Sequence, residues 1–291
     1  MPFNRLRSIF ILFFLFQTTV FADAPAPFLA DVESFVIRSS EHKQERDFQI
    51  SVALPSDYKT SDKNYPILYS LDANGEFGIV ASTARILEGD IPGIIVVGIG
   101  YPTGGRFIHA IKYRTWDYTP TRDLEEEKAG DLPDILVPAG TGAAPEFLQF
   151  IRQQLIPEIE KKYRVDSSDR ALLGHSLGGL FSSYALLHNQ GLFQRFVIGS
   201  PSLWWDERVM FKLEEKYAAT NKALPVRAFL SAGGKDTDRV KAAFEDFVAV
   251  LEKRQYADFD WEWHIFPGET HMSVVPATVS RGLRSIYKTA E

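Results

Sequence analysis

A single serine stands between glycines in Gly174-His175-Ser176-Leu177-Gly178, and Gly179 follows directly. The apolar run Ala171-Leu172-Leu173 ends at Gly174, and residues at helical spacing (Leu180, Tyr184, Leu187) begin just past the serine. A G-x-S-x-G pattern at a strand-to-helix junction predicts a turn so tight that the positions two residues either side of the serine have no room for side chains. Such a turn pushes the Ser176 hydroxyl out over the end of a sheet, above the positive end of the next helix, with the Leu177 N–H aimed at the same point. Because Gly and Ser are common, three fixed positions carry little by themselves. The strand before, the helix after and the extra Gly179 give the pattern its weight.

A hydroxyl becomes a nucleophile when a base takes its proton. Six histidines are available: His42, His109, His175, His188, His264 and His271. In hydrolases built on this elbow the acid and then the histidine follow the serine along the chain, so only His264 and His271 come late enough. His264 falls inside the alternating strand Phe259 to Phe266, where a structural role is commoner. His271 follows the loop Phe266-Pro267-Gly268-Glu269-Thr270 and is the base expected on geometric grounds. His175, turned away from its neighbour along the turn, reads as packing.

The acid that orients such a histidine should follow the strand Val226 to Ala232, where Gly233-Gly234-Lys235-Asp236-Thr237-Asp238 supplies two aspartates. Asp236 lies nearer the strand end and is the choice; Asp238 reads as the cap of the following helix. An oxyanion needs two preorganised N–H donors. Leu177 offers one, and Asn74, in the turn Asp72-Ala73-Asn74-Gly75 after the strand Tyr65 to Leu71, is the natural second. No His or carboxylate cluster accompanies Asp72, so neither a metal nor another cofactor is expected.

Positioning these groups calls for a sheet with strands ending on one side. Ser34 to Ser39 and Asp47 to Leu54 form two strand-like runs around a polar turn at Glu41 to Glu45, an antiparallel hairpin at a sheet edge. Tyr65 to Leu71 and Gly93 to Gly100 are continuous apolar runs, as expected of strands covered on both faces. Between them runs a helix from about Phe77 to Leu87. Beyond residue 144 helices and strands alternate: helix Pro145 to Tyr163, the elbow strand and its helix, strand Arg195 to Gly199, helix Asp206 to Ala219, strand Val226 to Ala232, helix Thr237 to Arg254, strand Phe259 to Phe266, helix Ser273 to Lys288. The order predicts an α/β fold with a mainly parallel central sheet, an antiparallel N-terminal hairpin and helices on both faces. Sites in such sheets form at the carboxyl ends of the strands, where Ser176 belongs.

Residues 101 to 144 are rich in Pro and Gly without clear periodicity, and loops of that length are often functional. The first half interleaves Arg106, Lys112, Arg114 and Arg122 with Tyr101, Phe107, Tyr113, Trp116 and Tyr118. A basic and aromatic patch of this kind suggests a lid for a flat, anionic ligand, with Arg106, Arg114, Trp116 and Tyr118 as substrate-binding candidates.

The chain has 291 residues, 45% of them hydrophobic, a formal net charge of −6 and no cysteine. One large core is the simplest account, so residues 23 to 291 are expected to form one domain with the lid-like insertion. The acidic balance makes nucleic acid and anionic membranes poor partners, and a small-molecule ester is expected instead. Without cysteine there is no thiol nucleophile, disulfide or Cys-bound metal. Arg5 and Arg7 precede an apolar core at Ile9 to Phe16, and Val20-Phe21-Ala22 resembles a cleavage site. Residues 1 to 22 therefore read as a secretory signal, too short in its apolar stretch for the roughly 20 residues that span a bilayer, and a periplasmic or secreted protein is expected.

Tyr69-Ser70-Leu71-Asp72-Ala73-Asn74, Val97-Gly98-Ile99-Gly100-Tyr101, Arg114-Thr115-Trp116-Asp117-Tyr118-Thr119-Pro120 and Gly174-His175-Ser176-Leu177-Gly178-Gly179 together resemble the esterase-D-type branch of the α/β-hydrolases. Within that branch the chain is most similar to siderophore (enterobactin-type) esterases, over nearly its whole mature length. The elbow is common to many hydrolases, whereas the Arg-x-x-Asp-Tyr-Thr-Pro segment beside the Asp-x-Asn turn is more specific. The resemblance implies Ser176 as nucleophile, His271 as base, N–H donors from Asn74 and Leu177, and Arg114 near the ligand. The usual turn of the group reads Asp-Gly-Asn, and here Ala73 replaces the glycine. Some of these esterases work with a Ser–His pair and no clear acid, which leaves Asp236, Asp238 or neither behind His271. The expected activity is ester hydrolysis through an acyl-enzyme, on a siderophore trilactone in its sharpest form. Feruloyl or acetyl esterases, acyltransferases and a silent binding protein on the same fold are the alternatives.

Overall fold

The computed structural model describes residues 32–40, 46–128 and 139–288. Residues 1–22, expected to be a leader, the turn Glu41 to Glu45 and the centre of the stretch expected to be a lid lie outside the described residues.

Eight strands form one sheet in the order β1-β2-β4-β3-β5-β6-β7-β8. β1 (Val32–Ser39) pairs antiparallel with β2 (Arg46–Ala53), and β2 pairs antiparallel with β4 (Ile95–Gly100). From there every pairing is parallel: β3 (Tyr65–Ser70), β5 (Val165–His175), β6 (Arg195–Gly199), β7 (Ala223–Gly233) and β8 (Ala257–Phe266). This is the α/β-hydrolase arrangement expected from the alternation of apolar runs, with the hairpin at the edge.

Side chains alternate between two cores, because successive residues of a strand point to opposite faces. Leu68, Val197 and Phe229 face one side, where α1 (Ala73–Ile86) and α8 (Val275–Tyr287) contribute Val80, Val279 and Leu283. Tyr69, Phe196, Ile198 and Leu230 face the other. That larger core is filled by α3 (Ala144–Phe150), α5 (Leu177–Leu187) and α7 (Asp238–Arg254), with Phe147, Phe181 and Phe244 fully buried. α3 continues through a π-helical turn, Ile151–Leu155, into α4 (Ile156–Lys162).

Two helices depart from the sequence reading. Residues 101 to 144 lack an obvious period, yet Phe107–Tyr118 forms a helix, α2. Its pattern is hidden because the face turned to the protein carries Arg114, Thr115 and Asp117 as well as Ala110 and Tyr118. α6 (Trp205–Thr220) also starts irregularly: Asp206, Glu207 and Arg208 have φ of 42°, 49° and 61°, so the right-handed run begins only after them.

Candidate active site

β5 ends at His175 and α5 starts at Leu177, leaving one residue, Ser176, to reverse the chain. It does so with φ 61° and ψ −119°, a region costing a non-glycine residue about 1–3 kcal/mol. Backbone bonds hold the strain: Ser176 N–H donates to Gly199 O at 2.9 Å, and its carbonyl accepts from Leu180 N at 2.9 Å and Ser202 N at 3.0 Å. A β-carbon on Gly174 would stand 2.2 Å from Gly178 O, and one on Gly179 would stand 2.7 Å from Gly199 O. Both glycines are therefore required by the close approach of helix and strand.

His271 arrives from the loop between β8 and α8. Its Nε2 lies 2.9 Å from Ser176 Oγ, and its Nδ1 lies 2.9 Å and 3.1 Å from the two carboxylate oxygens of Asp236. An ionised carboxylate only accepts, so Nδ1 carries the proton and Nε2 is left to accept from the serine hydroxyl. Burial alone would raise the Asp236 pKa, but hydrogen bonding to the carboxyl, that of His271 foremost, together with the charge of His271 outweighs it and holds the carboxyl below its ordinary value. The tight turn after β7 aims the carboxylate, with Asp236 N–H donating to Gly233 O at 3.0 Å.

The other candidates from the sequence are placed as follows. Asp238 does not cap α7: Thr237 does, accepting from Val240 N, while the Asp238 side chain stands in solvent near Lys241. A threonine and an aspartate in adjacent positions both suit a cap, and the expectation of Asp238 fell one residue too late. His264 stays within β8, its ring 4.6 Å from Phe266. His175 is not turned away from the site. Its ring lies 4.8 Å from that of His271, it is buried, and neither ring nitrogen has a hydrogen-bond partner among the described residues. Burial, reinforced by the charges of His271 and Arg114, pushes its pKa down to about 3, so the ring is neutral at working pH.

Asn74 occupies the first turn of α1, where backbone N–H groups have no partner within the helix. Its side chain is spent on fixing the turn to the end of β4: Nδ2 donates to Tyr101 O at 2.8 Å and to Thr103 Oγ1 at 3.1 Å, and Oδ1 accepts from Tyr101 N at 2.8 Å. Leu177 likewise opens α5, and its N–H has no acceptor among the described residues.

The four lid candidates separate. Arg106 is exposed at the start of α2. Trp116 is half-buried with the Arg46 guanidinium 4.6 Å above its ring, and lines cavities of about 440 and 300 Å³ that do not include Ser176. Arg114 and Tyr118 are buried, 7% and 0% exposed, and face the turn at Asp72 from below. A reading of these two as surface lid residues is corrected by the helix, which turns its 114/118 face inward. The sequence points to Asp72 only as an unaccompanied carboxylate and gives no sign that it receives Arg114, nor that Arg239 pairs with Trp204, its guanidinium 3.4 Å from the ring centroid. Spacing gave no signal for either pairing, since the partners lie 42 and 35 residues apart. Among the described residues no group of three His, Asp or Glu side chains is placed to hold a metal ion, and no helix is long and apolar enough to cross a membrane.

Residues 40–274 match the Esterase family model, described as "Putative esterase". The chain is 34% identical over 261 residues to the ferri-bacillibactin esterase BesA of Bacillus subtilis (strain 168), spanning 84% of this chain and 86% of that one. It is 28% identical to the siderophore triacetylfusarinine C esterase of Aspergillus fumigatus, spanning 91% and 97%. The crystal structure of the BES protein from Bacillus cereus superposes with a TM-score of 0.77 at 26% identity, covering 93% of this chain and 100% of that one.

Proposed function

The chain belongs to the Esterase family, whose matched relatives are siderophore and carboxylic ester hydrolases, and from that premise we propose that it is an exported serine esterase working through an acyl-enzyme. The observation that carries the reading is the continuous line of hydrogen bonds Asp236–His271–Ser176, ending on an oxygen held out by a strained turn.

In this reading Ser176 Oγ attacks the ester carbonyl carbon as its proton passes to His271 Nε2. The carbonyl oxygen becomes an oxyanion facing the N–H groups of Leu177 and Asn74. Collapse breaks the carbon–oxygen bond to the alcohol, which leaves with the proton from His271. Water then gives a proton to the same nitrogen and attacks the acyl carbon, releasing the acid and restoring the serine. Asp236 stabilises the imidazolium in both halves without taking a proton.

A siderophore with ester linkages is the substrate proposed, since both relatives are siderophore esterases. Export rests on the basic and apolar pattern of residues 1 to 22. The test is hydrolysis of p-nitrophenyl butyrate by wild type and Ser176→Ala. A fall of about 10³-fold or more in kcat with an unchanged melting curve supports the assignment. Retained turnover removes it.

A further inference from the structure

Arg114, the basic residue packed against the proposed oxyanion turn, is fully engaged with another protein group. Arg114 Nε lies 2.6 Å from Asp72 Oδ1 and Nη2 lies 2.7 Å from Oδ2, a bidentate pair with both partners buried. Burial would lower the arginine pKa, but Asp72 outweighs it and drives it further up, so the guanidinium stays charged. The Phe107 and Tyr118 rings flank the guanidinium at 5.7 and 5.4 Å.

This pair has contacts on both the turn and the elbow. Asp72 is the N-cap of α1 and stands at φ 54°, ψ 35°, a left-handed conformation that disfavours residues with a β-carbon. Its side chain accepts no capping hydrogen bond from the helix; it is turned to Arg114 instead. Its N–H donates to Tyr118 Oη at 3.2 Å, one helical turn along α2 from Arg114. Its carbonyl accepts from Gly75 N at 2.9 Å and Glu76 N at 3.0 Å, which sets the direction of the Asn74 peptide. On the far side a β-carbon at Gly178 would stand 3.1 Å from Asp72 Oδ2, so the carboxylate rests against the first turn of α5. Arg114 Nη2 also reaches the His175 carbonyl at 3.5 Å, the peptide immediately before Ser176.

We propose that Arg114 is a positioning residue: through its two bonds to Asp72 it fixes the 72–74 turn against the 175–178 elbow, so that the Asn74 and Leu177 N–H groups converge on one point. This rests on the reading of Ser176 as nucleophile and of those two N–H groups as oxyanion donors. It assigns Arg114 a task different from holding an anionic substrate. Misplacing one oxyanion donor lowers the chemical step and leaves ground-state binding largely alone, whereas losing a substrate contact raises KM on the charged substrate only. Lysine keeps the charge but cannot make the planar bidentate contact, so Arg114→Lys separates geometry from charge.

The test compares wild type, Arg114→Lys and Asp72→Asn on neutral p-nitrophenyl acetate and on an anionic ester, p-nitrophenyl hemisuccinate. Rates are expressed per active site titrated with a fluorophosphonate probe, and melting curves are recorded alongside. The expected result is a fall in kcat of about 10- to 100-fold on both esters, with KM within about threefold and slower phosphonylation by a similar factor. The double variant should be little worse than either single one. A normal kcat per titrated site with a lower active fraction would mean a purely structural role, and a KM increase confined to the anionic ester would mean a substrate contact. Either overturns the proposal. Should Arg114→Lys not fold, Asp72→Asn carries the same measurement. Failure of the serine reading shows separately, as wild type that turns over ester but is not labelled by the probe.

Discussion

The imidazole of His175 packs against that of His271 with ring centroids 4.8 Å apart and planes inclined at 45°. The first ring is buried and without hydrogen bonds among the described residues; the second is bound at both nitrogens, to Ser176 and Asp236. A neutral, unpartnered imidazole presents a mostly apolar face, supporting the second ring without competing for the Asp236 carboxylate.

That arrangement makes stability pH-dependent on the acid side. His175 titrates near 6.5 when unfolded and at about 3 when folded, so between those values the unfolded chain binds more protons. Stability must then rise with pH across that window, and fall as pH is lowered from 6.5 toward 3. His175→Leu removes this proton uptake. Chemical denaturation of wild type and variant from pH 4 to 7 should show the variant with a shallower dependence, by up to one proton. Parallel dependences would contradict it.

Glu76 does the opposite on the alkaline side. It is buried one turn past Asp72, and burial, then the Asp72 charge, raise its pKa to about 8 against the opposing pull of Arg114. The folded protein holds this proton from about pH 4.5 to 8 while the unfolded chain does not, so its contribution to stability declines as pH rises through that window. Glu76→Gln keeps the shape and cannot ionise. Its stability relative to wild type should therefore increase from pH 5 to about 8 and level off above that; a constant difference would refute the assignment.

The two aspartates after β7 should differ sharply. Asp236 is buried against His271, while the Asp238 side chain is in solvent. Asp236→Asn favours the wrong imidazole tautomer and should lower kcat by about 10³- to 10⁴-fold. Asp238→Asn should stay within about twofold, in the range of a solvated surface change. Initial rates on a single p-nitrophenyl ester suffice, and equal losses would mean the acid has been misassigned.

Phe147 sits fully buried where α3 meets the sheet, in ring contact with Phe48, Tyr118, Phe150 and Phe181. Phe147→Ala should cost about 3–5 kcal/mol of stability by equilibrium unfolding, through lost burial and the cavity left behind. A loss under about 1 kcal/mol would mean that this face of the core collapses to fill the gap.

The fold was legible because the central strands are buried on both faces and read as unbroken apolar runs, such as Tyr65 to Leu71. Ser176 stood out because its turn demands glycine at fixed offsets, and His271 because a loop at a strand end is where a base has room to lean. α2 escaped notice since its inward face is lined by Arg114, Thr115 and Asp117: the two charges have partners distant in sequence, and the Thr115 hydroxyl bonds back to Ile111 O. Arg46 on β2 and Tyr101 after β4 both bond Asp117, and Asp72 bonds Arg114. Hydrophobic periodicity registers apolar burial, and it is blind to a helix that docks through ion pairs. The same blindness made Arg114 look like a surface lid residue.

The account depends most on Ser176 becoming covalently acylated. Pre-steady-state mixing with a slowly deacylated p-nitrophenyl ester, followed by acid quench and peptide mass spectrometry, tests this directly. The account predicts a burst of p-nitrophenol equal to the titrated sites, with the acyl mass on the peptide containing Ser176 and on no other. A burst-free time course with no adduct, or an adduct on a different residue, would contradict it.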